Sequence, residues 1–333
     1  MRRGAPFPLS MSISLVLAAC AGPQVATNES ATPRPQFRVE APVERVTHDA
    51  FLEESFAVQA DGAHLLVTRA DSRQEVPAPW NRKPGFRYLG QDMHLFQRQI
   101  VHMDVFGRDP RVLAAQPSMD PEVSSNNDDF WYTQINTSGL HVLRGRLSVP
   151  NAQATVLKTA DGKVFAQPAL APDGQKLAVT VLDLGTRVSW VATCTPKGED
   201  LKLLAQGSTP RWSPDGQWLV FDRRLVAQSS DDDDKNIYQI QRIAVKGGEA
   251  ETLVRGPGSN NAPEFSPDGK SLVFRSNRDG HFHLYQLDLA SQVVQAVTQG
   301  PSDEHHPAFG RDGWLYFVSN AGGSVDIWRA KVQ

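Results

Sequence analysis

An all-β fold, a single propeller of six four-stranded antiparallel blades, is what this sequence predicts. Three observations predict it. A hairpin phrase returns six times, its turns fall at positions 62, 127, 174, 216, 269 and 313, and an N-terminal segment has the pattern needed to complete the last unit. The two clearest copies are Pro210-Arg-Trp-Ser-Pro-Asp-Gly-Gln-Trp-Leu-Val-Phe221 and Pro263-Glu-Phe-Ser-Pro-Asp-Gly-Lys-Ser-Leu-Val-Phe274. Looser copies surround Asp173-Gly174 and Asp312-Gly313, and degenerate ones surround Asp61-Gly62 and Asn126-Asn127. Each copy is an apolar run, a turn dipeptide and a second apolar run, the signal of a β-hairpin. Asn127 stands where the others have Gly, and Asn is the residue that next best tolerates a left-handed backbone. Several short strands per unit at this spacing fit a radial β-repeat and not a helical solenoid.

Residues 1–19 read as a signal peptide: Arg2 and Arg3, then the short apolar stretch Met11–Ala19, too short to remain as a membrane span. The stretch ends in Leu17-Ala-Ala-Cys20, which resembles the lipobox of bacterial lipoproteins and implies lipidation at Cys20. Ala21, in place of Asp, follows that cysteine, and the resemblance then implies an outer-membrane lipoprotein facing the periplasm. Residues 20–36 are rich in Pro, Ala, Thr and Ser without apolar periodicity and read as a tether. The propeller occupies 37–333.

The chain has 333 residues, a formal charge of -3 and 2 cysteines. There is no basic stripe interleaved with aromatics, so nucleic-acid binding is not expected. With Cys20 carrying lipid, Cys194 alone remains, in the apolar run Val188–Cys194; a buried strand residue with no disulfide is expected.

Within the unit from Pro263, strands are expected at Glu264–Phe265, Ser271–Arg275, His281–Leu287 and Val293–Val297. His281 and His283 alternate with apolar residues and are expected to face solvent. In the preceding unit, Ile237–Ile243 and Glu251–Val254 supply the third and outer strands. The last unit has no outer strand after Val325–Ala330, and Val43–Asp49 resembles the outer-strand phrase. The N-terminal segment is expected to complete this blade and so remove an exposed edge.

Ser-Pro-Asp-Gly followed by Leu-Val-Phe, then Ser276-Asn-Arg-Asp-Gly280 and a strand ending in Leu-Asp, resembles the TolB-type propeller repeat, also called PD40 or WD40-like. The resemblance implies the fold and says little of chemistry, because the repeated residues hold turns and cores. TolB carries an α/β domain before its propeller, whereas about 17 residues separate Cys20 from the first expected strand, so a TolB-like chain and not TolB is expected. Prolyl-peptidase relatives need a Gly-x-Ser-x-Gly elbow, which is missing here.

Inner strands line a propeller's channel, and residues just before them ring its mouth. These are Ser55, Asp120, Gln167, Thr209, Asn261 and His306, with Asn260, Glu304 and His305 beside them. Such a polar ring is a ligand or metal site, or a set of solvated strand caps. His305 and His306 with Asp120 or Gln167 could hold a divalent cation; otherwise no cofactor is expected. Two insertions should share that face: Arg69 to Arg87, containing Trp80, and Ser229–Lys235, containing Asp231, Asp232, Asp233 and Asp234. Four adjacent carboxylates form a mobile acidic loop or a lure for a basic partner. Trp80 anchors an interface or packs over the blade edge. The reading is a non-catalytic protein-interaction module in the cell envelope. The alternatives are a glycan or small-ligand binder, and a metal-dependent sugar-acid lyase as the resemblance allows.

Overall fold

Each Asp-Gly turn of the hairpin phrase closes in the same way. In the computed structural model, Asp61, Asp173, Asp215, Asp268 and Asp312 each accept the N–H of the residue two positions on, at 2.8–3.1 Å. The glycine between has φ of 66° to 76° at 62, 174, 216, 269 and 313, a conformation that disfavours a Cβ. The structure describes residues 36–37, 42–49, 51–75, 87–88, 91–92, 96–124, 126, 128–136, 138–150, 152–225 and 237–332.

The hairpins open six four-stranded antiparallel sheets, one per predicted unit. Blade 1 comprises Leu52–Val58, His64–Glu75, Phe96–Asp104 and Arg111–Ala114. Blade 2 comprises Ser118–Val123, Asp129–Asn136, Gly139–Arg146 and Gln153–Leu157. Blade 3 comprises Lys163–Leu170, Leu177–Asp183, Val188–Cys194 and Lys202–Gln206. Blade 4 comprises Ser208–Trp212, Trp218–Arg224, Tyr238–Ala244 and Glu251–Val254. Blade 5 comprises Asn260–Phe265, Ser271–Ser276, His283–Asp288 and Val294–Ala296.

Blade 6 takes Glu304–Phe309, Leu315–Ser319 and Asp326–Ala330 from the end of the chain and Val43–Arg45 from its beginning. The closure expected from the sequence is therefore present, with Val43 opposite Ala330 and Arg45 opposite Trp328. Arg45 secures it by an ion pair to buried Asp326 at 2.7 Å, and the Thr47 hydroxyl accepts the Ile327 N–H at 2.9 Å.

The core lies between blades. Phe56, Leu65 and Val67 of blade 1 pack with Tyr316, Val318 and Ile327 of blade 6. Trp131 and Val142 of blade 2 pack with Phe165, Leu177 and Val179 of blade 3. Tyr316, Phe221, Phe274 and Phe317 are completely buried, and each such side chain contributes roughly 1.5–3 kcal/mol by removal from water. Cys194 is buried as expected; its thiol reaches the Leu177 carbonyl at 3.7 Å, and burial pushes its pKa up to about 12.

Two expectations require correction. The first insertion does not begin at Arg69, because the second strand of blade 1 continues to Glu75 and pairs Arg69 with Gln99 and Ala70 with Arg98. His283 does not face solvent. It is buried, and its Nδ1 donates to the Glu304 carboxylate at 2.9 Å, whereas His281 is exposed as expected. Both faces of a propeller strand are covered by neighbouring blades, so alternation along it does not separate inside from outside.

Candidate functional site: the central channel

The inner strands carry a repeated irregularity. Asp120, Gln167, Thr209, Ala262 and His306 all have positive φ, between 46° and 55°, and each precedes a buried proline. The pairing register of each inner strand shifts there, as in a β-bulge. A non-glycine residue in this region costs about 1–3 kcal/mol and persists only where its surroundings hold it. Proline supplies no N–H to the ladder, so the bulge sits where a ladder bond is already lost.

The restraint comes from the preceding blade. Ser55 Oγ donates to Thr68 Oγ1 at 2.8 Å and accepts the Asp120 N–H at 3.2 Å. Thr133 Oγ1 donates to Asp120 Oδ2 at 3.2 Å and accepts the Gln167 N–H at 3.0 Å. Thr180 repeats the pattern, donating to Gln167 Oε1 at 2.7 Å and accepting the Thr209 N–H at 3.0 Å. In blade 4, Asp222 accepts the Ala262 N–H at 2.9 Å. Between blades 5 and 6 the link changes chemistry: Arg275 donates to His305 Nδ1 at 2.5 Å and lies over the Phe282 ring.

Two residues beyond each bulge, the inner strands present Ala57, Glu122, Ala169, Arg211, Glu264 and Ala308 to one cavity of about 220 Å³. Ser55, Asp120, Thr209, Ala262 and His306 line it as well. Arg211 Nε stands 3.3 Å from Glu264 Oε2. Burial pushes the Glu122 and Glu264 carboxyls up to about 7 and that of Asp120 up to about 6, although the Arg211 charge pulls each of them down. Burial, with the charges of Arg275 and Arg211, lowers His306 to about 3, so its imidazole is neutral. The cavity thus holds three carboxyl groups and one guanidinium.

Not all of the predicted mouth residues share this site. Asp120, Thr209, Ser55 and His306 line the cavity, and the Gln167 side chain is engaged by Thr180 and Thr209. Asn261 does not occupy the ring position. That place belongs to Ala262, since the ring residue stands seven before the turn glycine and Asn261 lies one residue earlier, buried opposite Arg275. Glu304 is buried beneath the ring, accepting from His283, Thr298, Ser302 and Ser319. His305 and His306 diverge, the first to Arg275 and Phe282, the second to the channel. Among the described residues no three His, Cys, Asp or Glu side chains gather as a metal site. Cys20, Trp80, Asp231, Asp232, Asp233 and Asp234 lie outside the described residues.

Glu122, Arg211 and Glu264 were missed by the sequence reading. Each stands five residues before a turn position, at a place on an inner strand where the other blades have alanine.

Residues 209–333, which span the last three blades, match the family described as the TolB beta propeller domain, PD40. An uncharacterized protein of Agrobacterium fabrum is 25% identical over 211 residues, 61% of this chain and 67% of that one. The Tol-Pal system protein TolB of Francisella tularensis is 36% identical over 128 residues, 38% of this chain. The match spans 27% of that TolB, about a quarter of its length. A solved oligogalacturonate lyase in complex with manganese has the same fold, with a TM-score of 0.57 at 13% identity over 90% of this chain and 96% of that one. A fold shared with a lyase and with TolB does not choose between catalysis and docking. Over residues 209–333 the chain carries the TolB-type propeller repeat, and its six four-stranded blades give it the propeller fold of such proteins.

Proposed function

We propose that this chain is a lipoprotein of the bacterial cell envelope, anchored through Cys20 in the outer membrane and facing the periplasm, whose propeller docks a protein partner at the channel mouth without catalysis. The observation that carries the reading is the 36% identity over 128 residues to a protein of the Tol-Pal system. The mouth face also supports it. Leu225 and Ile237 are 48% and 44% exposed, and they are joined by the Leu225 N–H to the Ile237 carbonyl at 2.9 Å. This apolar pair flanks the insertion that contains Asp231–Asp234. An acidic run that adjoins exposed apolar residues in the sequence suits a partner with a basic rim and an apolar centre. Trp80 belongs to the same proposed surface.

The test replaces Leu225 and Ile237 together by Glu, with Asp173→Lys on the opposite face as control. Proteins retained from detergent-solubilised envelopes are then quantified. The mouth variant is expected to lose a partner that the control keeps. Loss from the control alone, or an identical set retained by both, contradicts docking at the mouth.

A further inference from the structure

The channel cavity is polar at one end and apolar at the other. Asp120, Thr209 and His306 border it at the ring, and Glu122, Arg211 and Glu264 border it two residues further along their strands. Beyond these, toward the Asp-Gly turns, half-buried Val58, Val123, Leu170 and Phe309 form an apolar girdle. Pro172 belongs to a turn, is exposed, and still lines the cavity, so the space reaches solvent at the turn face. Arg211 pairs with Glu264 at 3.3 Å, and one guanidinium therefore answers three carboxyl groups. The room exists because Ala57, Ala169 and Ala308 stand where larger residues would close the channel. At about 220 Å³ it is smaller than the ~300–1,000 Å³ of pockets for drug-sized ligands, and it suits a small amphiphile better than a sugar chain. A divalent ion would need several ligands converging on one point, and the described residues offer no such set.

We infer that this cavity binds a small free alkylamine, which enters from the turn face, sets its ammonium at Asp120 and Glu122 facing the Arg211–Glu264 pair, and lays its stem on the apolar girdle. This site is separate from whatever docks at the mouth. An ammonium is a compact charge with three donors, and the surplus carboxyl groups supply its acceptors. Each methylene of the stem that leaves water against Val58, Val123, Leu170 or Phe309 adds to affinity. A bare inorganic cation would leave the girdle unused, and an alcohol would leave the carboxylates unanswered. The charge also suits the titration of the site. Asp120 near 6 and Glu122 and Glu264 near 7 are divided between protonated and ionised forms close to neutrality. The groups facing them are Arg211, His306 and, from blade 1, the Glu54–Arg98 pair. His306, itself beside Arg211 and Arg275, is neutral throughout this range. A cation seated among the carboxyl groups expels protons, so binding tightens as pH rises through about 7.

The probe is n-butylammonium, titrated calorimetrically into the purified protein at pH 6 and pH 8 in two buffers of different ionisation enthalpy. Expected are saturable binding of one ion per chain, tighter at pH 8 with proton release, at least tenfold weaker binding of methylammonium, and none of n-butanol. Glu122→Gln, and separately Ala308→Leu, which fills the cavity and leaves every carboxylate in place, should each weaken binding at least tenfold. Thermal melts establish that both variants fold. The double variant Leu225→Glu with Ile237→Glu, altered at the mouth alone, should bind within twofold of wild type. No saturable uptake, or equal uptake by Glu122→Gln, overturns the amine site. Equal affinity for methylammonium overturns the place of the stem on the girdle, and loss of binding in the mouth variant overturns entry from the turn face. Partner retention by that double variant reports on docking alone, so either reading can fail while the other holds.

Discussion

The Thr180 hydroxyl accepts the backbone N–H of Thr209 at 3.0 Å, across the boundary between blades 3 and 4, while donating to Gln167 Oε1 at 2.7 Å. Thr133 bears the same relation to Gln167 and Asp120, one blade earlier. Each threonine thus ties the left-handed residue of its own inner strand to that of the next blade. The ring around the channel is therefore a structural device first, and whatever the mouth binds is presented on a strained and doubly held backbone.

Thr180→Val keeps the shape and removes the hydroxyl, leaving Gln167 Oε1 and the Thr209 N–H with one partner fewer. The expected loss is about 0.5–1.5 kcal/mol, the net worth of an ordinary hydrogen bond, since the Thr209 N–H still reaches Gln167 Oε1 at 3.0 Å. Urea unfolding should show a lower midpoint at unchanged slope. A stability equal to wild type would mean that the Gln167–Thr209 bond alone holds the bulge.

The contribution of Glu122 and Glu264 to stability should fall as pH rises from about 4.5 to about 7. Glu122 and Glu264, whose ordinary value is 4.5, are pushed up to about 7 in the folded chain by burial. The native state thus binds more protons than the unfolded chain within that window, and the stability these groups contribute when protonated is lost as they ionise. Glu122→Gln removes one such group. It should melt higher than wild type at pH 8, with the difference shrinking toward pH 5. A difference that grows toward pH 5 would contradict the sign.

Cys194 should be inert in the native protein. Its thiol is buried and pushed up to about 12, whereas alkylation requires an exposed thiolate. Iodoacetamide at pH 8 should modify it only after denaturation. Rapid native modification would show that blade 3 opens locally.

Much of the fold was legible because its signals are local. Gly216 and Gly269 mark turns that disfavour a Cβ, and the pattern of Val43–Asp49 supplied the missing outer strand. Cys194 was read correctly from its apolar run. His283 was misread because alternation suggests an outer face, and nothing local shows that Glu304, 21 residues on, waits beneath it. The ring was displaced by one residue at Asn261, since the bulge that places Ala262 there arises only when strands pair. Glu122, Arg211 and Glu264 stood at matching positions before their turns, but their convergence needs the ring to close. Trp80 and Asp231–Asp234 remain sequence-based members of the proposed docking face.

The docking claim is tested most directly by photo-crosslinking in the native envelope. One photoreactive residue replaces Leu225 at the mouth, and another replaces exposed Pro214 at the opposite turn. The account predicts one discrete protein adduct from position 225 and none from 214. Adducts from 214 alone, or from neither position, would contradict it.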